Sequence, residues 1–327
     1  MNIFIAFNDD YVLPTRVMLK SLIMNNACPL DVFVFFSSLK QESIDAIKGL
    51  EEEGRVSFRF QQVEDAFLDD IDIPGYFSKE TYYRLFAHRL FSEDIERVLW
   101  LDGDLIINGP LDEFYDQDFK GSLYAAVEDS GTKVVKRQKE TLRMPADSKY
   151  INTGVLLFNL KQMRKELNDG EIIQYLRDNQ KMLLYPDQDV LNGLLHDRII
   201  VAYPNWMYNL FCWRITNENK REAYANARVI HYCGKRKPWR YSDHPAADIW
   251  WKYARLTGPE YNRLFRKLYV SHMVSKCKKL AKRSAKKMLP QPVYDRIKEH
   301  CRSSLFHRGK HSHIESLQGK KGGQDER

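Results

Sequence analysis

Two aspartates, Asp102 and Asp104, close the apolar run Val98-Leu99-Trp100-Leu101 with only Gly103 between them. The run is hydrophobic without alternation, as in a strand buried on both faces of a mostly parallel sheet. A glycine permits a tight turn, so the two carboxylates can converge on one point instead of facing opposite sides of a strand. Two hard oxygen donors at the carboxyl end of a sheet strand make half of a divalent-cation site. The plainer alternative is a polar turn with solvated carboxylates. Val229 to Trp239 adds complementary chemistry. His231 offers a ring nitrogen to a metal, Gly234 opens a turn, and Lys235, Arg236 and Lys237 supply the charge that a metal-chelated diphosphate needs. The chain contains neither G-x-G-x-x-G nor G-x-x-x-x-G-K-[ST]. A bound nucleotide would therefore rely on metal and side-chain cations in place of a glycine-rich cradle.

Further candidates precede and follow this turn. Ser78 to Phe91 reads as a helix capped by Ser78, with Arg84 and His88 on one flank. A guanidinium there suits a phosphate or a carboxylate of the metal site, against the alternative of a solvated surface charge. Leu123 to Val127 reads as a buried strand ending on Glu128 and Asp129. Residues 130 to 149 are polar and weakly periodic, a mobile loop or short helix. Asn152, Thr153 and Gly154 stand immediately before another buried strand, where a glycine permits close approach of a ligand and an amide both donates to and accepts from sugar hydroxyls. Asp187, Gln188 and Asp189 follow a proline at the start of a helix, where capping alone could explain the acids.

The elements that must position these groups alternate. Ile3 to Phe7 is a strand, a helix begins near Pro14, Asp31 to Phe36 is a second strand, Ser38 to Gly49 a second helix, and Val56, Phe58 and Phe60 a third strand. This β-α-β-α-β order predicts a parallel sheet with right-handed crossovers. With 327 residues, 43% of them hydrophobic, the chain has ample material for a packed core, which excludes a disordered protein. No apolar stretch approaches ~18 residues, and MNIFIAFNDD runs into charge without a basic leader, so neither a membrane span nor a signal peptide is expected. Cys28, Cys212, Cys233, Cys277 and Cys301 are scattered without C-x-x-C spacing, as reduced cytosolic thiols would be.

The net charge of +7 is carried by the end of the chain: between Tyr261 and Lys310 there are 15 Lys and Arg against the two acids Asp295 and Glu299. Val270 to Met288 places apolar residues at three- and four-residue steps among these cations, and Pro290 and Pro292 stop the pattern. Such a basic amphipathic helix suits an anionic membrane surface. The alternatives are a solvated helix packed on the body and nucleic-acid binding, and nucleic acid is not expected as a partner. Residues 309 to 327 are expected to be disordered.

Six motifs occur in one order over roughly residues 1 to 250: A-F-N-D-D-Y, T-Y-Y-R-L, L-D-G-D, N-T-G-V-L-L-F-N, P-D-Q-D-V-L-N and H-Y-C-G-K-R-K-P-W. Together they resemble the retaining glycosyltransferases of family 8, the galactosyl- and glucosyltransferases of bacterial lipopolysaccharide and capsule synthesis. The resemblance implies an α/β GT-A fold, a Rossmann-like mixed, mostly parallel sheet flanked by helices, over residues 1 to 258. A basic helical tail over 259 to 308 and a disordered end over 309 to 327 complete the expected division. It implies a UDP-hexose donor and Mn2+, with Mg2+ as the alternative ion, held by Asp102, Asp104 and His231. It places Ala6, Asn8 and Asp10 at uridine; Arg84 at the nucleotide and sugar; Gly103 in the metal-binding turn; Gly234 and Lys237 at the diphosphate; and Asp129, Asn152, Thr153, Asp187 and Gln188 around the donor sugar. Many relatives carry aspartate where this chain has Asn8.

The implied reaction is transfer of galactose or glucose to a glycan or glycolipid acceptor by same-face attack. Gln188 stabilises the oxocarbenium-like state, Asp129 and Asp187 stand beside it, and the departing phosphate assists deprotonation. A cytoplasmic enzyme held at the inner face of the cell membrane through residues 261 to 310 is expected. The alternatives are a non-catalytic sugar or nucleotide-binding protein with the same fold, and an inverting transferase.

Overall fold

A computed structural model describes residues 1–73, 77–129, 132–202, 205–241, 244–288 and 293. Two compact units divide the chain, Met1–Leu268 and Tyr269–Arg327.

In the first unit the strands are β1 (Asn2–Ala6), β2 (Leu30–Phe36), β3 (Val56–Gln62), β4 (Arg97–Leu101), β5 (Leu105–Ile107), β6 (Tyr124–Glu128), β7 (Ile151–Asn159), β8 (Ile199–Val201), β9 (Leu210–Phe211) and β10 (Val229–His231). Seven of them form one sheet in the order β3-β2-β1-β4-β7-β6-β8. β7 runs antiparallel to both of its neighbours, whereas the other pairs are parallel, so the sheet is mixed and mostly parallel. The helices Val12–Asn25 and Gln41–Lys48 make the first two crossovers.

The unbroken apolar runs have a direct cause: helices cover both faces of the sheet. Phe4, Trp100, Leu156 and Phe158 belong to the core on one side, and Ile3, Ile5, Leu99, Leu101, Val155 and Leu157 to that on the other. Phe4 meets Trp100 edge-on, ring centres 4.6 Å apart, which fixes β1 against β4 at the strand end where the acids begin.

A smaller sheet, β5-β10-β9, stands beside the first. β5 pairs antiparallel with β10, so that Leu105 faces His231. The turn 102–104 is therefore the bridge between the two sheets: Asp102 N–H donates to Gly154 O on β7 at 3.0 Å, and Asp104 O accepts from Tyr232 N–H at 3.1 Å.

Two elements differ from the sequence expectation, and the stretch 130–149 takes the helical one of its two expected forms. The segment expected to be one helix from Ser78 is a 3-10 helix, Lys79–Phe86, followed by a short α-helix, Ala87–Leu90. The tighter winding buries Tyr82, Tyr83, Arg84, Leu85 and Phe86 in succession, and tertiary packing overrides the amphipathic period. Ser78 makes no side-chain cap. Asn152, Thr153 and Gly154 lie inside β7 and not ahead of it, where the register between β6 and β7 shifts at Ala126/Val127. The stretch 130–149 contains the helix Lys133–Thr141, capped by Thr132 Oγ1 accepting from Val135 N–H.

The basic helix runs Glu260–Met288, within the helical stretch expected from residue 259 and starting ahead of the apolar steps read from Val270. Tyr261, Leu264, Phe265 and Leu268 pack within the first unit, and Tyr261 donates its hydroxyl proton to Leu13 O at 2.9 Å. In the second unit Tyr269, Val270, Met273 and Val274 are exposed. Among the described residues, no helix is long and apolar enough to cross a membrane. Cys28, Cys212, Cys233 and Cys277 are free thiols. The expectations for Cys301, Pro290, Pro292 and residues 309–327 fall outside the described residues.

Candidate active site

Asp102, Asp104 and His231 converge as expected, each offering a donor atom within 4.8 Å of the others. The two carboxylates divide their oxygens in the same way. Asp102 Oδ1 accepts from Arg84 Nη2 and from Trp100 Nε1, both at 2.9 Å, leaving Oδ2 3.8 Å from His231 Nε2. Asp104 Oδ2 accepts from the Lys237 ammonium, leaving Oδ1 3.3 Å from the same nitrogen. Neighbouring donors of an octahedral ion with bonds of about 2.1 Å sit roughly 3 Å apart. Each free oxygen lies less than an ångström beyond that separation from His231 Nε2, and all three donor atoms lie within 4.8 Å of one another. One imidazole and two carboxylates form a donor set suited to Mn2+ or to a neighbouring first-row ion.

Electrostatics keeps the site charged. Burial alone pushes the Asp104 carboxyl up, but the Lys237 ammonium and His231 outweigh it and hold the group well below the usual carboxylate range. Burial also works against the charged form of Lys237, and Asp104 reverses that, so the ammonium is held firmly protonated. Tyr11 closes the other side: burial, and then the nearby Asp104 carboxylate, pushes its phenol up to about 12.

The glycines act through space. A Cβ on Gly103 would stand 2.4 Å from Thr15 Oγ1 and 3.2 Å from Tyr11 Cδ1, so the bare backbone lets the acidic turn pack on the first helix. Gly103 is not among the positive-φ residues, and the tight-turn argument gives way to this steric one. A Cβ on Gly154 would meet His231 Cε1 at 2.4 Å. The close approach foreseen there for a ligand is made by the chain's own imidazole.

Arg84 is buried and shared. Besides Asp102 it donates from Nη1 to Thr153 O at 2.7 Å, lies 3.3 Å from Asp187 Oδ2, and stacks on Trp100 with its guanidinium 4.1 Å from the ring centre. It is a clamp on the carboxylates of Asp102 and Asp187. Asp187 also accepts from Thr153 Oγ1 at 2.8 Å. Burial raises its pKa, and Arg84 and Thr153 oppose the rise.

Gln188 lies buried between these groups. Its Oε1 accepts from Asn152 Nδ2 at 2.8 Å and from Thr153 N–H at 3.4 Å, and its Nε2 donates to Tyr150 Oη at 3.1 Å. Asp129 stands close by. Burial raises its carboxyl pKa, partly offset by the nearby His231, Arg214 and a hydrogen bond from Gln188.

The remaining expected residues lie on the rim or beyond it. Ala6 ends β1, Asn8 is half-buried with Oδ1 accepting from Asp10 N–H at 3.2 Å, and Asp10 is exposed. Gly234 adopts φ 82°. Of its three neighbouring cations only Lys237 turns inward, while Lys235 and Arg236 are exposed. Three participants had escaped sequence reasoning. Trp100 donates to Asp102; Tyr150 joins Gln188 to Asp189, donating to Asp189 Oδ1 at 2.5 Å; and Asn209 touches His231. Trp213 stacks on Phe211 at 5.7 Å with the rings 12° apart, and Phe211 in turn lies 6.0 Å from the His231 ring. Trp213 is 52% exposed. A surface depression of about 540 Å3, lined by Ser37, Gln62, Asp65, Asp69 and Lys79, lies off β2 and β3 and includes none of the triad.

A mostly parallel sheet whose central strand delivers two acids to a histidine on an adjoining small sheet defines a GT-A glycosyltransferase. The chain belongs to glycosyl transferase family 8, whose profile matches residues 2–243. It is 24% identical over 271 residues to general stress protein A of Bacillus subtilis, covering 79% of this chain and 94% of that protein. Lipopolysaccharide 1,2-glucosyltransferase of Escherichia coli is 25% identical over 259 residues, 76% of each chain. The crystal structure of the galactosyltransferase LgtC in complex with donor and acceptor sugar analogs superposes with a TM-score of 0.69 at 25% identity, covering 81% of this chain and all of that one. The protein is accordingly a hexosyltransferase of this family.

Proposed function

We propose that the protein moves glucose or galactose from a UDP-sugar to a glycan acceptor of the bacterial cell surface, with retention of anomeric configuration and dependence on Mn2+. The observation that carries this reading is the division of carboxylate oxygens: one of each pair is held by a cation of the protein, and the other turns toward His231 Nε2. A bound Mn2+ would supply Lewis-acid stabilisation to the departing diphosphate. Lys237, already at Asp104, is within reach of the same charge. Ala6, Asn8 and Asp10 sit at the carboxyl end of β1, where the uridine of the donor would rest.

On the sugar side Gln188 offers an amide, a poor nucleophile, and its oxygen is engaged by Asn152. Same-face attack by the acceptor therefore suits the site better than a covalent intermediate on Gln188. Asp129 and Asp187 flank the position and stabilise positive character on the ring. The exposed Trp213 ring, stacked on Phe211 beside His231, provides a platform for an acceptor pyranose. The E. coli relative named as a lipopolysaccharide glucosyltransferase supports a lipid-linked acceptor. The exposed Tyr269, Val270, Met273 and Val274 among the lysines of the last helix support attachment to an anionic membrane surface.

The test is release of UDP from UDP-glucose or UDP-galactose with Mn2+, with and without chelator. Release that needs the metal is expected with one of the two donors. No release from any UDP-hexose, with bacterial glycolipid acceptor supplied, would leave a sugar-binding protein of the same fold. An inverted product would replace the retaining mechanism.

A further inference from the structure

We infer that Asn209 is a positioning residue: it fixes which nitrogen of His231 carries the proton, and the Gly154 amide on β7 orients His231 through Asn152 and Asn209 and, together with the Thr153 amide, orients Gln188. Gly154 N–H can only donate, and it lies 2.9 Å from the Asn152 side chain, so the atom it meets is the Asn152 oxygen. That oxygen also stands 2.8 Å from the Asn209 amide and must face its NH2. Asn209 then turns its own oxygen to His231 Nδ1, 3.0 Å away, and Nδ1 must carry the hydrogen. With the Nδ1 hydrogen so placed, Nε2, the nitrogen that faces Asp104 and Asp102, is the one whose lone pair can be offered to an ion that the carboxylates share.

The other arm follows from the same anchor. With its oxygen committed, Asn152 presents NH2 to Gln188, whose oxygen is thereby engaged. The Gln188 NH2 reaches Tyr150 Oη, and the Tyr150 proton goes to Asp189. Asp189 is in turn held by Leu184 N–H at 2.7 Å, Tyr185 N–H at 3.0 Å and Gln138 Nε2 at 2.7 Å. Asn152, Gln188, Asn209 and His231 are all buried, so solvent does not compete for these bonds. The metal end and the sugar end of the site are thus two ends of one hydrogen-bonded chain. The purpose of the arrangement rests on His231 being a metal ligand; the proton placement itself does not.

The tautomer is measured by proton–nitrogen correlation spectra of histidine-labelled, metal-free protein, the His231 resonance being assigned by its loss in His231→Gln. The wild type is expected to show Nδ1–H. Asn209→Asp, which keeps an acceptor against Nδ1, retains it, and Asn209→Leu loses it. Mn2+ titration followed by electron spin resonance, with Mn2+ alone and with Mn2+ plus UDP, reads the consequence. A hydrogen-bond partner on the far nitrogen of a metal-bound histidine is typically worth about 10–100-fold in affinity, so Asn209→Leu should weaken Mn2+ binding by about that factor and Asn209→Asp should restore most of it. An Nε2–H tautomer in the wild type overturns the inference, even if Asn209→Leu does not fold. So does an Asn209→Leu variant equal to wild type in tautomer and affinity. Wild-type protein with Nδ1–H that binds no Mn2+ supports the positioning by Asn209 and refutes the metal centre instead.

Discussion

Replacing Arg84 by Met keeps a stem that can lie on Trp100 but removes the charge shared by Asp102 and Asp187. Arg84 is 5% exposed, so water does not substitute for its guanidinium. Breaking a buried pair by deleting one partner typically costs about 3–5 kcal/mol, and here one deletion removes the cation shared by Asp102 and Asp187 and the donor to Thr153 O, leaving only Trp100 Nε1 and Thr153 Oγ1 on the two acids. The loss of cation–π attraction at a desolvated ring adds up to about 2 kcal/mol. Against a total stability of about 5–15 kcal/mol this is a large fraction. With a urea m-value of about 3 kcal/mol/M, the midpoint should fall by at least about 1 M.

The pH dependence has a definite sign. Burial raises the folded-state pKa of Asp187 above its ordinary value, and Arg84 opposes the rise. Removing Arg84 lifts it further. A carboxyl raised in this way contributes stability below its unfolded pKa and loses it as pH rises through the folded one. The gap between wild type and Arg84→Met should therefore be smallest in acid and widen toward neutral pH. Equal urea midpoints for the two proteins, or a gap that does not change with pH, would refute the idea that Arg84 neutralises these acids. Arg84→Lys should recover only part of the loss, because an ammonium cannot reproduce the fork.

Asp104→Asn should reduce metal-dependent UDP release by at least about 100-fold, since Lewis-acid stabilisation is worth several kcal/mol and about 1.4 kcal/mol is tenfold. Turnover equal to wild type at saturating Mn2+ would remove Asp104 from the metal site. Asp189, which burial pushes up to about 6, contributes stability below about pH 4 that is lost as pH rises through 6. Asn does not titrate, so the stability of wild type relative to Asp189→Asn should fall by about 2–3 kcal/mol between pH 4 and 7 in paired urea unfolding curves. Tyr261, Leu264, Phe265 and Leu268 pack within the first unit. A chain ending after Leu268 should therefore keep UDP release while losing sedimentation with anionic vesicles, at about 1 kcal/mol per cation removed. Undiminished sedimentation would transfer membrane attachment to the body.

The linear order of residues carried much of this protein. Apolar runs without alternation require cover on both faces, so Ile3 to Phe7, Asp31 to Phe36 and Val98 to Leu101 are legible as buried strands from residue order alone. Asp102 and Asp104 at the end of one run, with His231 beside a glycine and cations, were legible as donors because few other chemistries use that combination. What local pattern could not supply was the partner of each group. Whether Arg84 touches phosphate or carboxylate depends on what the 3-10 winding of Lys79–Phe86 places opposite it, and that winding is imposed by packing. Gly154 is explained by the imidazole that crosses it, and β10 comes from a distant part of the chain. Asn209 sits in a segment with no periodicity to mark it, and only the pairing of β9 with β10 brings it to His231. The sequence by itself determined which groups the site contains, because residue type sets donor chemistry and apolar period sets the elements. The tertiary structure decided which oxygen, which nitrogen and which hydrogen each group presents. Those choices arise from contacts between segments far apart in the chain, beyond the reach of any local pattern.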